Sequence, residues 1–206
     1  MHALIIAGGT PPKKKLLEQE MAQAQIHIGA DSGGHVYLGY GHRPDIVVGD
    51  LDSFVYTRHK GIKLLELPDQ ETNDLEKSLA YALEKGAKTA CILGATGKRF
   101  DHSLKNLSVL LRYQEQYEDI RFKDNHGELF LVRSPYTPKL AVGTEISFFP
   151  VHSPIKNFSS NGVKYPLQNS ALAMGIQDGT SNEITSEEAV IHFDGILGVY
   201  IIKPIQ

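Results

Sequence analysis

Cysteine is almost absent from this chain of 206 residues, because Cys91 is its only thiol. One thiol cannot form an internal disulfide, so we expect a reducing compartment such as the cytoplasm. Cys91 lies in the apolar run TACILGA, which indicates a position in the core.

Long apolar runs and an excess of one charge are also missing. No stretch approaches the roughly 18 apolar residues that a membrane span needs, and the lysines near the N-terminus follow the apolar run Ala3–Ala7, unlike those of a signal peptide. Lys and Arg number 21 against 24 Asp and Glu. This balance excludes a polybasic nucleic-acid binder and an acidic tail protein. We expect neither a membrane nor a nucleic-acid partner.

Residues 1–123 alternate short apolar runs with longer amphipathic ones. The apolar runs predict strands at Ala3–Ala7, Ile26–Ala30, Ile46–Val48, Leu64–Leu67 and Thr89–Leu93. The amphipathic runs predict helices at Lys13–Ala24, after Asn73 and at His102–Tyr113. Strands that alternate with helices predict a parallel sheet covered on both faces.

Two of the predicted helices carry further signals. Asn73 is a predicted N-cap, with Glu76 as its capping-box partner three residues later. In the last helix Leu104, Leu107 and Leu111 fall on one face, as in an amphipathic helix.

The rhythm changes after Arg121. Short strand-like runs (ELFLVR, EISFFPV, AVIHF and GVYIIK) are separated by Gly, Pro, Asn and Ser, with no convincing helix. This pattern predicts an antiparallel β domain, either a sandwich or an open barrel. The expected fold is therefore an N-terminal parallel-sheet α/β domain, residues 1–123, followed by a β domain, residues 124–206.

Five aspartates fall near the carboxyl ends of the predicted strands. Asp31, Asp50 and Asp52 end the second and third strands, Asp74 lies in the first turn of a helix, and Asp101 follows the fifth strand. Ligands of open parallel sheets bind at this edge, and a helix N-terminus favours an anion.

Structural interpretations of these aspartates remain open, since Asp is common in loops and at helix N-caps. For Asp31 the structural and the functional interpretations have equal weight. Function is favoured for Asp50 with Asp52, because their crowding is costly without a cation. Oxygen ligands of this kind suit Mg²⁺, which usually also needs substrate phosphates.

Basic residues share this neighbourhood. Lys77 lies one turn beyond Asp74, and Lys98 and Arg99 precede the acid at 101 and His102. Acid and base together at strand ends indicate Mg²⁺ with a polyphosphate. Taken alone, Lys77 fits better as a solvated helix charge, and the alternative interpretation of His102 is a surface residue at a helix N-terminus.

Six ordered motifs resemble those of the thiamine pyrophosphokinase family: ADSG (30–33), GDLDS (49–53), DQETNDLEKSL (69–79), GATGKRFDHSLKNL (94–107), NGVKYPLQN (161–169) and GTSNEI (179–184). The resemblance implies an α/β domain, a β-sandwich and a homodimer with active sites between subunits. It also implies transfer of the pyrophosphoryl group of ATP to the hydroxyl of thiamine, giving thiamine diphosphate and AMP.

The resemblance also assigns roles to residues. It implies Mg²⁺ and catalytic phosphate handling by Asp50, Asp52 and Asp74, with Asp101 as the candidate proton acceptor. It implies ATP or phosphate binding by Asp31, Gln70, Lys77, Arg99 and His102, and thiamine binding by Tyr165, Ser181 and Asn182. Three positions depart from the family pattern: Asn73 stands where many members have Thr, Lys98 where a second Gly is common, and Tyr165 where animal members have Trp.

Two alternative functions remain. A haloacid-dehalogenase-like phosphatase also has Asp-x-Asp after a strand, but usually near the N-terminus and with Thr or Val next. Here the pair begins at Asp50 and an all-β half follows. A non-catalytic vitamin or nucleotide sensor on the same scaffold is the second alternative, which the intact acidic set disfavours.

Overall fold

The computed structural model describes residues 1–54 and 61–203 of the chain. Its contacts divide the chain into two compact units, residues 1–125 and 126–206. The elements of the first unit are β1 (His2–Ile6), α1 (Lys14–Met21), β2 (Ile26–Ala30), α2 (Gly33–Gly39), β3 (Ile46–Gly49), β4 (Lys63–Glu66), α3 (Asp74–Glu84), β5 (Thr89–Leu93), α4 (Phe100–Tyr113) and β6 (Asp119–Lys123).

The strands of the first unit form a parallel sheet in the order β6-β5-β1-β2-β3-β4. β1 lies at the centre, where Ile5 is paired with Ile28 on one side and Ile92 on the other. All three side chains are fully buried. The parallel α/β prediction is confirmed, and its signal was the continuous apolar run that a strand buried on both faces requires.

The helices cover both faces of this sheet. α2 packs on β1 and β2, whereas α3 packs on β1, β2 and β3 and also on α4. Right-handed crossovers place α1 and α2 on one face and α3 and α4 on the other, because the connections run in opposite directions from β1. None of the helices in the described part of the chain has the length and apolar character needed to cross a bilayer.

Sequence patterns missed α2 and β6. The α2 sequence, GGHVYLG, is rich in glycine and therefore intrinsically poor as a helix. Close packing explains Gly33, since a Cβ there would lie 1.8 Å from the Ile6 carbonyl oxygen. β6 has only Ile120 and Phe122 buried, between charged residues that are exposed or partly exposed, so its apolar signal is too short to predict a strand.

The N-cap prediction for α3 is confirmed, but half of the predicted capping box is wrong. The Asn73 side chain accepts a hydrogen bond from the Glu76 amide at 3.0 Å. The Glu76 carboxylate does not return it, because it forms ion pairs with Lys105 at 2.8 Å and Arg112 at 2.6 Å. Its side chain is only 2% exposed. Glu76 therefore joins α3 to α4 through a buried charge.

The three leucines on the predicted apolar face of α4 are not its buried residues. Leu104 is 51% exposed, whereas Asn106, Val109 and Leu110 are buried. Periodicity located an apolar stripe correctly, but a different side of the helix, which includes the polar Asn106, meets the sheet and α3.

The second unit is entirely β in residues 126–203. Its strands are β7 (Gly127–Val132), β8 (Glu145–Pro150), β9 (Ile155–Asn161), β10 (Ser170–Leu172), β11 (Gly179–Glu183), β12 (Val190–Asp194) and β13 (Leu197–Ile202). Antiparallel sheets in the orders β11-β8-β13-β7 and β10-β9-β12 enclose one core that includes Phe148 and Phe158. The sandwich prediction is confirmed. β9, β10 and β11 were missed because their sequences are short or polar.

We predict that Glu76→Gln lowers the free energy of unfolding by about 1–2 kcal/mol at pH 7. The substitution removes the buried anion and its two ion pairs. The loss is moderate because Lys105 and Arg112 are partly exposed and regain contact with water. Burial favours the neutral acid, yet bonding to Lys105 and Arg112 prevails and lowers the pKa of Glu76 below 4.5. The stabilisation that comes with a lowered pKa is present above that pH. It is lost as the pH falls through the folded-state pKa.

Urea unfolding between pH 7 and pH 3 measures this effect. The gap between wild type and Glu76→Gln should close below about pH 4.5. Glu84→Gln is the matched control, since Glu84 is a 71% exposed member of a surface pair on the same helix. A constant gap across the pH range would show that the charge of Glu76 contributes nothing.

Candidate active site

A cleft of about 460 Å³ opens at the carboxyl edge of the parallel sheet. The chain runs from β1 outward through β2, β3 and β4, and then crosses to β5 on the other side of β1. Such a reversal leaves a crevice beyond the strand ends, where ligands of open α/β sheets bind. The lining residues are Ala7, Gly8, Gly9, Ala30, Asp31, Ser32, Asp50, Asp52, Ser53, Asn73, Asp74, Leu75, Ala95, Gly97, Lys98, Arg99, His102 and Asn106.

Three carboxylates from three elements meet on one side of the cleft. Asp31 follows β2, Asp50 follows β3 and Asp74 opens α3. Each contributes one oxygen to a group in which all the atoms lie within 4.8 Å of one another. We call these residues the acidic wall.

Backbone geometry sets the spacing of the acidic wall. The Asp50 amide donates to Asp74 Oδ1 at 3.3 Å. A Cβ on Gly49 would lie 2.8 Å from the same oxygen, so only glycine permits this approach. Asp31 and Leu51 have φ values of 43° and 62°, a left-handed conformation that costs free energy in residues other than glycine. The chain accepts local strain where the acids converge.

The electrostatics of the acidic wall are unfavourable without a cation. Burial raises the pKa of Asp31, and the charges of Asp50 and Asp52 add to this. Burial also raises the pKa of Asp74, reinforced by Asp31 and Asp50. A hydrogen bond from the Asp52 amide, with another from Gln70, instead lowers the pKa of Asp50.

The acidic wall fits a hard divalent cation. Within residues 1–54 and 61–203, the buried Asp31 Oδ1 has no hydrogen-bond partner. An orphaned buried carboxylate oxygen beside two further carboxylates is a donor set suited to Mg²⁺. A bound cation would also relieve the repulsion that raises the pKa of Asp31 and Asp74.

Asp52 lines the same cleft but lies outside the three-carboxylate group. Its amide donates to Asp50 Oδ1 at 3.3 Å, and its Oδ1 accepts from the Ser53 hydroxyl at 2.8 Å. Spacing along the chain paired Asp52 with Asp50, whereas folding brings Asp31 to Asp50. Only the order of the strands could reveal the second arrangement.

Basic residues line the opposite side of the cleft. Lys98, Arg99 and His102 come from the β5–α4 loop and the first turn of α4; we call them the basic wall. The Arg99 guanidinium is held by Asp101, with Nε 3.1 Å from Oδ1. This bond lowers the pKa of Asp101, whose side chain is 63% exposed and is not among the residues lining the cleft.

Two further predicted site residues contact the acidic wall. Lys77 is 5% exposed, and its Nζ lies 3.8 Å from Asp74 Oδ1. Gln70 donates to Asp50 Oδ2 at 3.4 Å. Neither is among the described residues that line the cleft, so each reaches the site through an acid that it touches.

Asn106 is a site residue that sequence reasoning missed. Its Oδ1 accepts from Asn73 Nδ2 at 2.9 Å, and its Nδ2 donates to the Ala95 carbonyl at 2.7 Å. It therefore ties the N-terminus of α3, which carries Asp74, to the loop that carries the basic wall. The only sequence signal was a single amide within an amphipathic helix, which surface positions also show.

The second unit holds the remaining predicted residues. The buried Asn182 uses its amide to bind the backbone of Tyr165, accepting from its N–H at 3.0 Å and donating to its carbonyl at 2.9 Å. The Tyr165 ring is 61% exposed. Ser181 is exposed, with φ at 56°. Asn182 thus fixes the backbone of Tyr165, whose exposed ring has the Lys164 Nζ 5.8 Å from its centroid.

Comparisons with known families match both units. Residues 17–122 match the model described as thiamin pyrophosphokinase, catalytic domain. Residues 136–197 match the thiamin pyrophosphokinase, vitamin B1 binding domain. The order of the two matches is the order of the α/β and β units in this chain.

Individual relatives agree. Thiamine pyrophosphokinase of Bacillus subtilis is 30% identical over 94% of this chain and 94% of that protein. Thiamin pyrophosphokinase 1 of Caenorhabditis elegans is 31% identical over 72% of this chain, and the rice thiamine pyrophosphokinase 3 is 29% identical over 73%. The chain spans only 65% and 62% of the length of these last two proteins.

Solved structures give the same result. The crystal structure of thiamine pyrophosphokinase from Bacillus subtilis superposes with a TM-score of 0.83 and 26% identity, covering 100% of both chains. The enzyme from Geobacillus thermodenitrificans gives 0.81 and 25%, covering 98% of both. With one model matching half of the chain and a relative 30% identical along nearly all of it, the chain belongs to the thiamin pyrophosphokinase family.

Proposed function

We propose that the chain transfers the pyrophosphoryl group of ATP to the hydroxyl of thiamine, giving thiamine diphosphate and AMP. The observation that carries this proposal is the cleft of the first unit, in which an acidic wall faces a basic wall at the switch point of the sheet. Family membership supplies the two substrates. A cleft with both charges suits a metal-bound polyphosphate.

Mg²⁺ is the proposed cofactor, held by Asp31, Asp50 and Asp74, with Asp52 at the rim of the same cleft. When bound, it would neutralise charge on the phosphoryl oxygens of the transferred group. Lys77 stabilises the charge of Asp74 from behind. Its charge offsets part of the burial and repulsion that raise the pKa of Asp74.

The basic wall is proposed to bind the phosphates, with Arg99 and His102 orienting the β-phosphorus for attack. Asp101, predicted as the proton acceptor, is paired with Arg99, and its lowered pKa makes it a weaker base than an ordinary aspartate. Phosphoryl transfer passes through a loose transition state in which the base contributes little. Positioning and charge therefore carry the proposed rate enhancement.

Thiamine is proposed to bind through the second unit. The exposed Tyr165 ring offers a flat π-face to a flat cationic ring, and Asn182 fixes the backbone that presents it. We further propose a homodimer in which each site uses Tyr165 of one chain and the cleft of the other. The single buried cysteine supports a reducing, cytoplasmic setting.

The phosphatase alternative finds no support, because both matching family models are thiamin pyrophosphokinase models. The sensor alternative is disfavoured by the retained acidic wall.

Product analysis tests the proposed function directly. Incubation with ATP, Mg²⁺ and thiamine should give AMP and thiamine diphosphate in equal amounts, measured by chromatography. ADP with thiamine monophosphate would show an ordinary kinase, inorganic phosphate without thiamine would show a phosphatase, and unchanged ATP would favour the sensor.

Removing one charge from the acidic wall should separate catalysis from folding. We predict that Asp50→Asn lowers turnover by about 100-fold or more. Stability without metal should hold or rise, because a repulsion is removed. Mg²⁺ should raise the unfolding temperature of the wild type but not of Asp50→Asn.

Asp119→Asn is the control for Asp50→Asn, because Asp119 begins β6 and lies outside the cleft. It should retain turnover and the stabilisation by Mg²⁺. Equal stabilisation of Asp50→Asn by Mg²⁺ would remove Asp50 from the proposed metal site.

Subunit mixing tests the composite site. Asp50→Asn and Tyr165→Ala, each weakly active at low thiamine concentration, should recover about a quarter of wild-type activity after dissociation and reassociation. Random pairing makes half of the dimers mixed, and each mixed dimer has one intact site. No recovery despite demonstrated exchange of labelled subunits would mean that each site lies within one chain.

A further inference from the structure

Lys98 adopts a backbone conformation that is unfavourable for lysine. Its φ is 55°, in the left-handed region that glycine enters without steric cost. Strained residues of this kind concentrate at ligand clamps, where the side chain compensates for the strain. The side chain of Lys98 is therefore the feature to explain.

Loop bracing does not explain Lys98, since the loops on either side are already joined by their backbones. The β1–α1 loop donates to the β5–α4 loop through Gly9 N to the Gly94 carbonyl and Thr10 N to the Thr96 carbonyl, both at 2.8 Å. Packing there is so close that a Cβ on Gly9 would lie 2.3 Å from the Thr96 oxygen. The Lys98 side chain adds only one hydrogen bond to this arrangement.

Lys98 is instead the uncompensated cation of the basic wall. Its Nζ donates to the Gly8 carbonyl at 2.7 Å, which leaves two further N–H groups of the ammonium. No carboxylate among the described residues forms an ion pair with it, whereas Asp101 already neutralises Arg99. Both Gly8 and Lys98 line the cleft.

We propose that Lys98 is a phosphate-binding residue that sets the affinity of this chain for polyphosphate. The inference rests on the proposed function for the identity of the nucleotide, but the site itself requires only a polyphosphate anion. The carboxylates of the acidic wall repel such an anion, so a cation on the opposite wall has to hold the end that the metal does not.

Calorimetric titration with MgATP, and separately with Mg²⁺ and inorganic tripolyphosphate, tests the proposal without turnover. Lys98→Gly should weaken binding of both anions by about tenfold or more, as expected for a lost charge-assisted hydrogen bond. The same variant should raise the unfolding temperature, because glycine relieves the strain. Lys98→Met should lose the same affinity without that gain.

Steady-state kinetics provide a second measurement. Loss of a contact made equally in the ground and transition states raises the KM for ATP by the same factor and leaves kcat within about twofold. Lys88→Met is the matched control, since Lys88 is 69% exposed and precedes β5 at the opposite edge of the sheet. It should change neither binding nor KM.

Several outcomes would overturn the proposal: unchanged affinity in Lys98→Gly and Lys98→Met, a lower unfolding temperature in Lys98→Gly, or a wild type that binds neither anion. Failure of the proposed function looks different. In that case the wild type makes no thiamine diphosphate, yet its tripolyphosphate affinity still depends on Lys98.

Discussion

Mutual repulsion among Asp31, Asp50 and Asp74 is the constraint on which the first unit depends. Their oxygens lie within 4.8 Å of one another, so the acids come together only because a rigid framework holds them. β2 and β3 are paired in the parallel sheet, and α3 packs across both. The buried strands supply the free energy that this arrangement costs. Burial, with a smaller contribution from neighbouring carboxylates, raises the pKa of both Asp31 and Asp74.

The same framework couples the acidic wall to the basic wall. Asn106 bonds both Asn73, at the start of α3, and the Ala95 carbonyl, in the loop before α4. Six residues beyond Asn106 on α4, Arg112 forms an ion pair with the buried carboxylate of Glu76 on α3. A change that loosened this helix pair would therefore move Asp74 relative to the loop before α4 as well as lower stability.

Sequence patterns predicted the parts of the fold that single residues or short runs determine. The central strands were found because burial on both faces demands unbroken apolar runs. α2 was missed because its helix is imposed by packing on the sheet. Periodicity found an apolar face on α4, but it does not say which side of the helix meets a neighbour. The pairing of Asp31 with Asp50 depends on strand order, which no local pattern contains.

Strand order also explains why the loop after β1 carries glycines. In the sheet β1 lies between β5, which leads to the basic wall, and β2 and β3, which lead to the acidic wall. A Cβ on Gly8 would lie 2.6 Å from the Ser32 hydroxyl, and one on Gly9 would strike the Thr96 carbonyl. Side chains are thus excluded from the centre of the cleft. A polyphosphate lying across β1 would contact bare backbone at its middle, with cations at one end and the acidic wall at the other.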